Sequence, residues 1–145
     1  MCFEIRNSVM GDFRPALKLD RQSFGPDAWT VLDYSMVFSN SSVKKFTATV
    51  RGKFAGFAAA EKPSKNSPAS LMTIAVCPEY RRMGIGAALL EKCEQAFPGE
   101  DFSLYVDVDN ENAIRLYKKG GYRETGMIPA YYMNGHDALV MEKKR

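Results

Sequence analysis

Apolar and polar residues along this chain keep two rhythms, one of period two and one of three to four, and the changes of rhythm mark the elements. Residues 3–8 read as a first strand. Asp12 stands where a cap would open a helix running to about residue 24, with Phe13, Ala16 and Leu17 inward and Gly25-Pro26 as its breaker. A weaker helical pattern covers residues 31–38, and Trp29 just before it is placed to pack as a lid. Residues 46–51 and 54–61 read as strands joined across Gly52, and residues 62–68 as the loop that follows. Residues 71–76 are an apolar run dense in β-formers, ended by Cys77-Pro78 because proline removes a ladder donor. Ile85, Leu89, Cys93, Ala96 and Phe97 then fall on one helical face that Pro98-Gly99 stops. Phe102, Leu104, Val106 and Val108 alternate along one side of a strand. After Asn110, a candidate cap, Ala113, Leu116, Tyr117 and Gly120 return to helical spacing, with Lys118 and Lys119 where the helix dipole favours cations. Residues 122–127 and 138–142 complete the strands. The order β-α-α-β-β-β-α-β-α-β-β predicts an α/β (α+β) fold, a mixed twisted sheet of about seven strands flanked by about four helices.

At 145 residues and 46% hydrophobic, the chain fits one domain with a real core, and no repeat or low-complexity tract divides it. No apolar run is long enough to span a bilayer, and Glu4 and Arg6 interrupt the first apolar stretch where a signal peptide would have none. The expectation is a cytoplasmic protein without a membrane partner. Cys2, Cys77 and Cys93 have no metal spacing and cannot all pair, which suits a reducing compartment; a single histidine rules out a His-rich metal site. The net charge of +3 is mild and its basic pairs are scattered, so no nucleic-acid partner is expected, and Lys143-Lys144-Arg145 reads as a solvated tail.

The chemistry concentrates at Arg81-Arg82-Met83-Gly84-Ile85-Gly86, between the 71–76 strand and the helix after it. Glycines at a helix mouth let backbone approach a ligand and leave first-turn N–H groups pointing outward, where the peptide dipoles also attract anions. Two arginines add planar donors suited to phosphate oxygens. Gly84-x-Gly86 lacks the third glycine of the dinucleotide fingerprint, and Ala87-Ala88 stand where a Walker loop needs Lys and Ser or Thr. The pattern therefore points to a pyrophosphate held by neither of those loops, against the plainer reading of a strand–helix turn.

The run Val76-x-Pro78-x-Tyr80-Arg81-Arg82-Met83-Gly84-Ile85-Gly86 resembles the acetyl-CoA loop of the GCN5-related N-acetyltransferases (GNAT), whose pattern is Gln/Arg-x-x-Gly-x-Gly/Ala. Asn110-Glu111-Asn112-Ala113-Ile114-Arg115-Leu116-Tyr117, followed by Gly120-Gly121-Tyr122, is similar to that family's Asn-x-x-Ala-x-x-Leu-Tyr-x-x-x-Gly-Phe. Tyr131-Tyr132 with Gly135-His136-Asp137-Ala138-Leu139-Val140-Met141 resembles the closing hairpin of the branch that acetylates protein N-termini, the ribosomal-protein-alanine (RimI-type) enzymes. The resemblance implies a single N-acetyltransferase domain over residues 1–145, with the family's fold and its central strands splayed to admit the coenzyme. It further implies direct acetyl transfer from acetyl-CoA to a primary amine, without a metal. The acceptor would be a protein or peptide N-terminus, or else a small-molecule amine such as a polyamine, amino acid or aminoglycoside; a CoA-binding module without turnover is the reading from another class. The protein would act as a monomer or homodimer.

By the same resemblance, the backbone of Ile74 and Val76 would bind the pantetheine arm, and the loop from Arg81 and Arg82 through Met83, Gly84, Ile85 and Gly86 to Ala87 would hold the pyrophosphate. Asn110 would reach the CoA arm as well as cap its helix. Periodicity alone makes Tyr117 a core tyrosine; the resemblance makes it the general acid, and a phenol with a pKa near 10 stays protonated until a thiolate departs. Tyr131 and Tyr132 either gate the acceptor channel or pack as hairpin aromatics. Twelve residues before the catalytic tyrosine this branch commonly has glutamate, and here stands Tyr105, with Ser103 and Asp107 on the same strand face. The amine then either arrives neutral or yields its proton through water to Tyr105, Asp107 or His136, although His136 by itself reads as a surface turn residue.

Overall fold

The structure is a computed structural model and describes residues 2–145. Through them the chain runs β1 (Glu4–Asn7), α1 (Phe13–Phe24), α2 (Val31–Ser39), β2 (Lys44–Val50), β3 (Lys53–Glu61), β4 (Ala69–Val76), α3 (Ile85–Gln95), β5 (Phe102–Asp107), α4 (Glu111–Lys119), β6 (Arg123–Ile128) and β7 (Ala138–Lys143). This is the order the two rhythms predict. The strands form one sheet, β1-β2-β3-β4-β5-β7-β6. All neighbours are antiparallel except β4 and β5. Arg51 and Gly52, with φ of 52° and 78°, make the tight turn between β2 and β3.

The parallel pair shapes the molecule. β4 and β5 pair only at Ala69–Phe102 and Ser70–Ser103. Just past those rungs the register against β3 jumps from Ala60–Leu71 to Ala59–Thr73, so Met72 is an extra residue. Such a bulge bends its strand and raises the local twist, and here it carries the rest of β4 away from β5.

β3 is buried on both sides, because Ala58 and Ala60 join one core cluster while Phe57 and Ala59 join the other. The first cluster lies beneath α3 and α4 and includes Ile85, Leu89, Cys93, Leu104 and Tyr117. The second lies beneath α1 and α2, built from Ala16, Tyr34, Val37 and Phe38. At Gly56 the first layer closes tightly: a Cβ there would stand 3.0 Å from the Ala75 carbonyl oxygen and 3.3 Å from Leu89 Cδ1.

Three expectations are corrected. Asp12 does not cap α1, because a short 3-10 turn over Met10–Asp12 has already brought it into helical geometry. Its buried carboxylate instead accepts from Arg6 at 2.7 and 3.0 Å, from the Val9 N–H at 2.8 Å and from Thr47 Oγ1 at 3.0 Å. Trp29 forms no lid; its ring packs on Tyr34 at 5.2 Å, and its backbone N–H donates to buried Asp20 at 2.7 Å. The basic tail is tied down as well. Lys143 Nζ reaches Glu94 at 3.0 Å, and the Arg145 N–H reaches Asp101 at 3.0 Å. Glu94, buried on α3, also accepts from the Tyr122 hydroxyl at 2.7 Å. Among the described residues no helix is long and apolar enough to cross a membrane.

Candidate active site

Past Val76 the chain makes a turn over Pro78–Tyr80 and enters α3 through two left-handed residues, Arg82 (φ 65°) and Gly84 (φ 87°). Gly84 takes that geometry without strain, as an N-terminal cap lacking a side chain does. Among the described residues, no backbone N–H from Arg82 to Ala87 finds a protein acceptor; Ala88 is the first that does, donating to the Gly84 carbonyl at 3.1 Å. The loop therefore presents a row of bare donors at the positive end of a helix. Arg81 and Arg82 are exposed beside it, and Arg81 Nε donates to the Val76 carbonyl at 3.1 Å. Met83 and Ile85 point inward and anchor the loop in the core. A Cβ on Gly86 would lie 3.4 Å from Leu116 Cδ2 and 3.9 Å from Val76 Cγ2, between α4 and the end of β4.

Ile74 and Val76 pair through one edge with Ala58 and Gly56 of β3. The splay leaves their other edge without a strand, facing the gap toward β5. Tyr117 belongs to the core cluster against which Ile74 and Val76 pack, 4% exposed and 6.0 Å from the Tyr122 ring. Among the described residues its hydroxyl makes no hydrogen bond. Burial raises its pKa, and the Tyr132 hydroxyl and Cys93 thiol raise it further. Asn110 caps α4, its Oδ1 accepting the Ala113 N–H at 3.2 Å.

On the opposite face of β5, away from buried Leu104 and Val106, Tyr105 is half exposed and meets Tyr131 edge-on at 5.5 Å. Tyr131 in turn meets Tyr132 at 5.0 Å with the rings perpendicular. Burial pushes the Tyr132 hydroxyl up to about 12, helped by Tyr131, Asp107 and Asp27. The structure thus brings Tyr105, Tyr131 and Tyr132 into one aromatic wall, and the 131–136 turn is held from two sides. The Met133 N–H donates to Asp27 in the α1–α2 connection at 2.8 Å. His136 Nδ1 lies 3.0 Å from both Asp107 oxygens, and its Nε2 lies 3.2 Å from Asp109.

The family model for the acetyltransferase (GNAT) family matches residues 7–122. The chain is a GNAT acetyltransferase. It is 29% identical, over 96% of its own length and 91% of the relative's, to the N-alpha-acetyltransferase of Sulfurisphaera tokodaii. The crystal structure of the ribosomal-protein-S18-alanine N-acetyltransferase from Escherichia coli superposes with a TM-score of 0.83 at 29% identity, covering 98% of this chain and 93% of that one. Arabidopsis thaliana Naa50 in complex with the bisubstrate analogue CoA-Ac-MVNAL gives a TM-score of 0.81 at 25% identity, with both chains fully covered. This acetyltransferase accordingly has the GNAT fold and uses acetyl-CoA as its acetyl donor.

Two features of this GNAT enzyme escape the sequence reading. Asp27 joins the turn of the aromatic wall across 106 residues, and no local pattern marks it. His136 is not a loose turn residue but the centre of a three-residue charge cluster. The spacing Asp107-x-Asp109 at the end of β5 was the only available sign of it. Cys77, next after Val76 in the chain, is half-buried, its thiol 3.7 Å from the Phe54 carbonyl, and burial followed by Glu79 raises its pKa. A thiol held protonated is a poor nucleophile, in keeping with the expected direct transfer.

Proposed function

We propose that this GNAT enzyme transfers the acetyl group of acetyl-CoA to the N-terminal amine of a protein or peptide. The observation that carries the acceptor class is the aromatic wall of Tyr105, Tyr131 and Tyr132, tied across the mouth to Asp27. Its three rings would line the acceptor side, where a chain end could lie against them. The names of the relatives, an N-alpha-acetyltransferase and a ribosomal-protein-alanine enzyme, support the same acceptor.

In this reading the bare donors from Arg82 to Ala87, with Arg81 and Arg82, take the pyrophosphate. The open edge at Ile74 and Val76 takes the pantetheine arm as a substitute strand, and Asn110 steadies that arm from α4. The neutral amine attacks the thioester carbonyl from the tyrosine side, forming the C–N bond. A backbone N–H of β4, fixed by its pairing with β3, stabilises the oxyanion without reorganising. The C–S bond then breaks and Tyr117, which burial keeps protonated until then, gives its proton to the departing thiolate.

With Tyr105 in the position of the usual glutamate, the amine enters already neutral, and its proton leaves after attack through water at the mouth. Initial rates at low peptide concentration therefore rise through the ordinary α-amino pKa of about 7.7–8.0. The reading is tested by following free thiol with acetyl-CoA and a library of N-terminal peptides, beside polyamines, amino acids and aminoglycosides. Thiol release with peptides is the expected result. Release with small amines alone moves the acceptor class, and release with nothing leaves a CoA-binding module. The cytoplasm remains the compartment we propose.

A further inference from the structure

His136 is the chain's one histidine, and both of its ring nitrogens face carboxylates. A neutral imidazole donates from one nitrogen and presents a lone pair at the other, so it can satisfy Asp107 or Asp109 but not both. The imidazolium, with a proton on each nitrogen, is the form that favours both contacts at once: Nδ1 hydrogen-bonds Asp107 and Nε2 lies at ion-pair distance from Asp109. The groups facing it are Asp107 at the end of β5, Asp109 in the turn before α4, and Asp137 at the start of the β7 segment. No cation other than His136 makes an ion pair with these three carboxylates among the described residues.

The same residue builds the turn that carries the acceptor tyrosines. Its carbonyl accepts the Tyr132 N–H at 3.2 Å, and its own N–H donates to Asn134 Oδ1 at 2.8 Å. Asn134 Nδ2 returns to Asp107 at 3.2 Å. Asp137 closes the other side, its carbonyl accepting from Val108 and its carboxylate from Ala130, whose φ of 48° marks a tight reversal. Asp109 immediately precedes Asn110, the cap of the helix that bears Tyr117.

We propose that the His136 imidazolium, bridging Asp107 and Asp109, is a positioning residue that locks the Tyr131–Tyr132 turn against β5 and the start of α4, so that acceptor binding is lost when His136 gives up its proton. Deprotonation would turn a lone pair toward one carboxylate, replacing an attraction by a repulsion, and release the turn from that side while Asp27 still holds the other. Hydrogen bonding to Asp107, then the charges of Asp107, Asp109 and Asp137, raise the histidine's pKa, so the lock stays closed to a higher pH than an ordinary histidine would hold it and opens as pH rises further. The inference rests on the N-terminal acceptor reading for its kinetic consequence, but its structural part does not.

The chain's only imidazole gives a single proton resonance that reports its titration without assignment, and hydrogen exchange at residues 130–137 reports the turn. In the free enzyme the resonance is expected to titrate above the ordinary histidine value, to shift downward in Asp107→Asn, and to titrate in step with faster exchange of the turn. A resonance at or below the ordinary value, or exchange indifferent to the titration, overturns the proposal whatever the enzyme acetylates. For kinetics, wild type is compared with His136→Arg, which keeps a cation that does not titrate, and with His136→Gln, which has none. Taking the ratio of wild type to the arginine variant at each pH cancels the titration of the acceptor amine. That ratio in kcat/KM for peptide is expected to fall as His136 deprotonates. His136→Gln is expected to raise the peptide KM on the order of tenfold or more, with the KM for acetyl-CoA unchanged. A flat ratio, or a loss in kcat with peptide KM untouched, refutes the positioning role. Absence of turnover with every peptide counts instead against the acceptor reading.

Discussion

Tyr117 owes its proposed chemistry to its surroundings: a buried phenol without a hydrogen-bond partner among the described residues keeps its proton at any ordinary pH. Tyr117→Phe removes the proton and little volume. It should lower kcat by about 10²–10⁴-fold while calorimetric acetyl-CoA affinity stays near wild type. Gly86→Val is the complementary test. Its side chain would press on Leu116 and Val76 at the mouth of the gap, so acetyl-CoA binding should be lost while the circular dichroism spectrum is kept. Normal binding by that variant would remove the loop from the coenzyme site. Of these residues, the loop glycines and Tyr117 were legible as candidates because their neighbours in sequence are their neighbours in space. Tyr105, Tyr131 and Tyr132 were legible as candidates but not as one wall, Asp107 and His136 as candidates but not as a cluster with Asp109, and Asp27 was not legible at all, since its partner is remote in sequence.

Most helices and strands were legible because one face is apolar at the right period, β3 and β4 as continuous apolar runs, and the ends moved by only a residue or two. What the periods did not show is where elements touch. Nothing in the run Phe54-Ala55-Gly56-Phe57 says that Gly56 lies under α3, yet an added methyl there meets the Ala75 carbonyl oxygen at 3.0 Å, and backbone yields little. Gly56→Ala should therefore destabilise by about 1–3 kcal/mol, read as a lower urea midpoint with unchanged m-value. The bulge at Met72 was equally hidden. A run of β-formers predicts a strand but not an extra residue in it, and here that residue separates β4 from β5.

For the molecule as a whole, Asp12 ties the first strand, the first helix and β2 together. Burial alone would raise its pKa, but the Arg6 bond, the Val9 N–H, Thr47 and the charge of Arg6 outweigh it and hold the carboxyl below its usual value. A depressed folded-state pKa contributes stability at pH above the unfolded value of about 3.9, which is lost as pH falls through the folded one. Asp12→Asn should cost about 1–3 kcal/mol at neutral pH, and its urea midpoint should fall less than wild type's on acidification below pH 5. Equal acid slopes would clear Asp12 of that role. The two rungs that join β4 to β5 have a mechanical consequence. They make a hinge between two leaves, β1 to β4 on one side and β5, β7 and β6 on the other. A pantetheine arm laid along the bare edge would stitch the leaves together, so the loaded enzyme is the stiffer object. Its melting temperature climbs with acetyl-CoA concentration, as linkage requires of a ligand that favours the folded state.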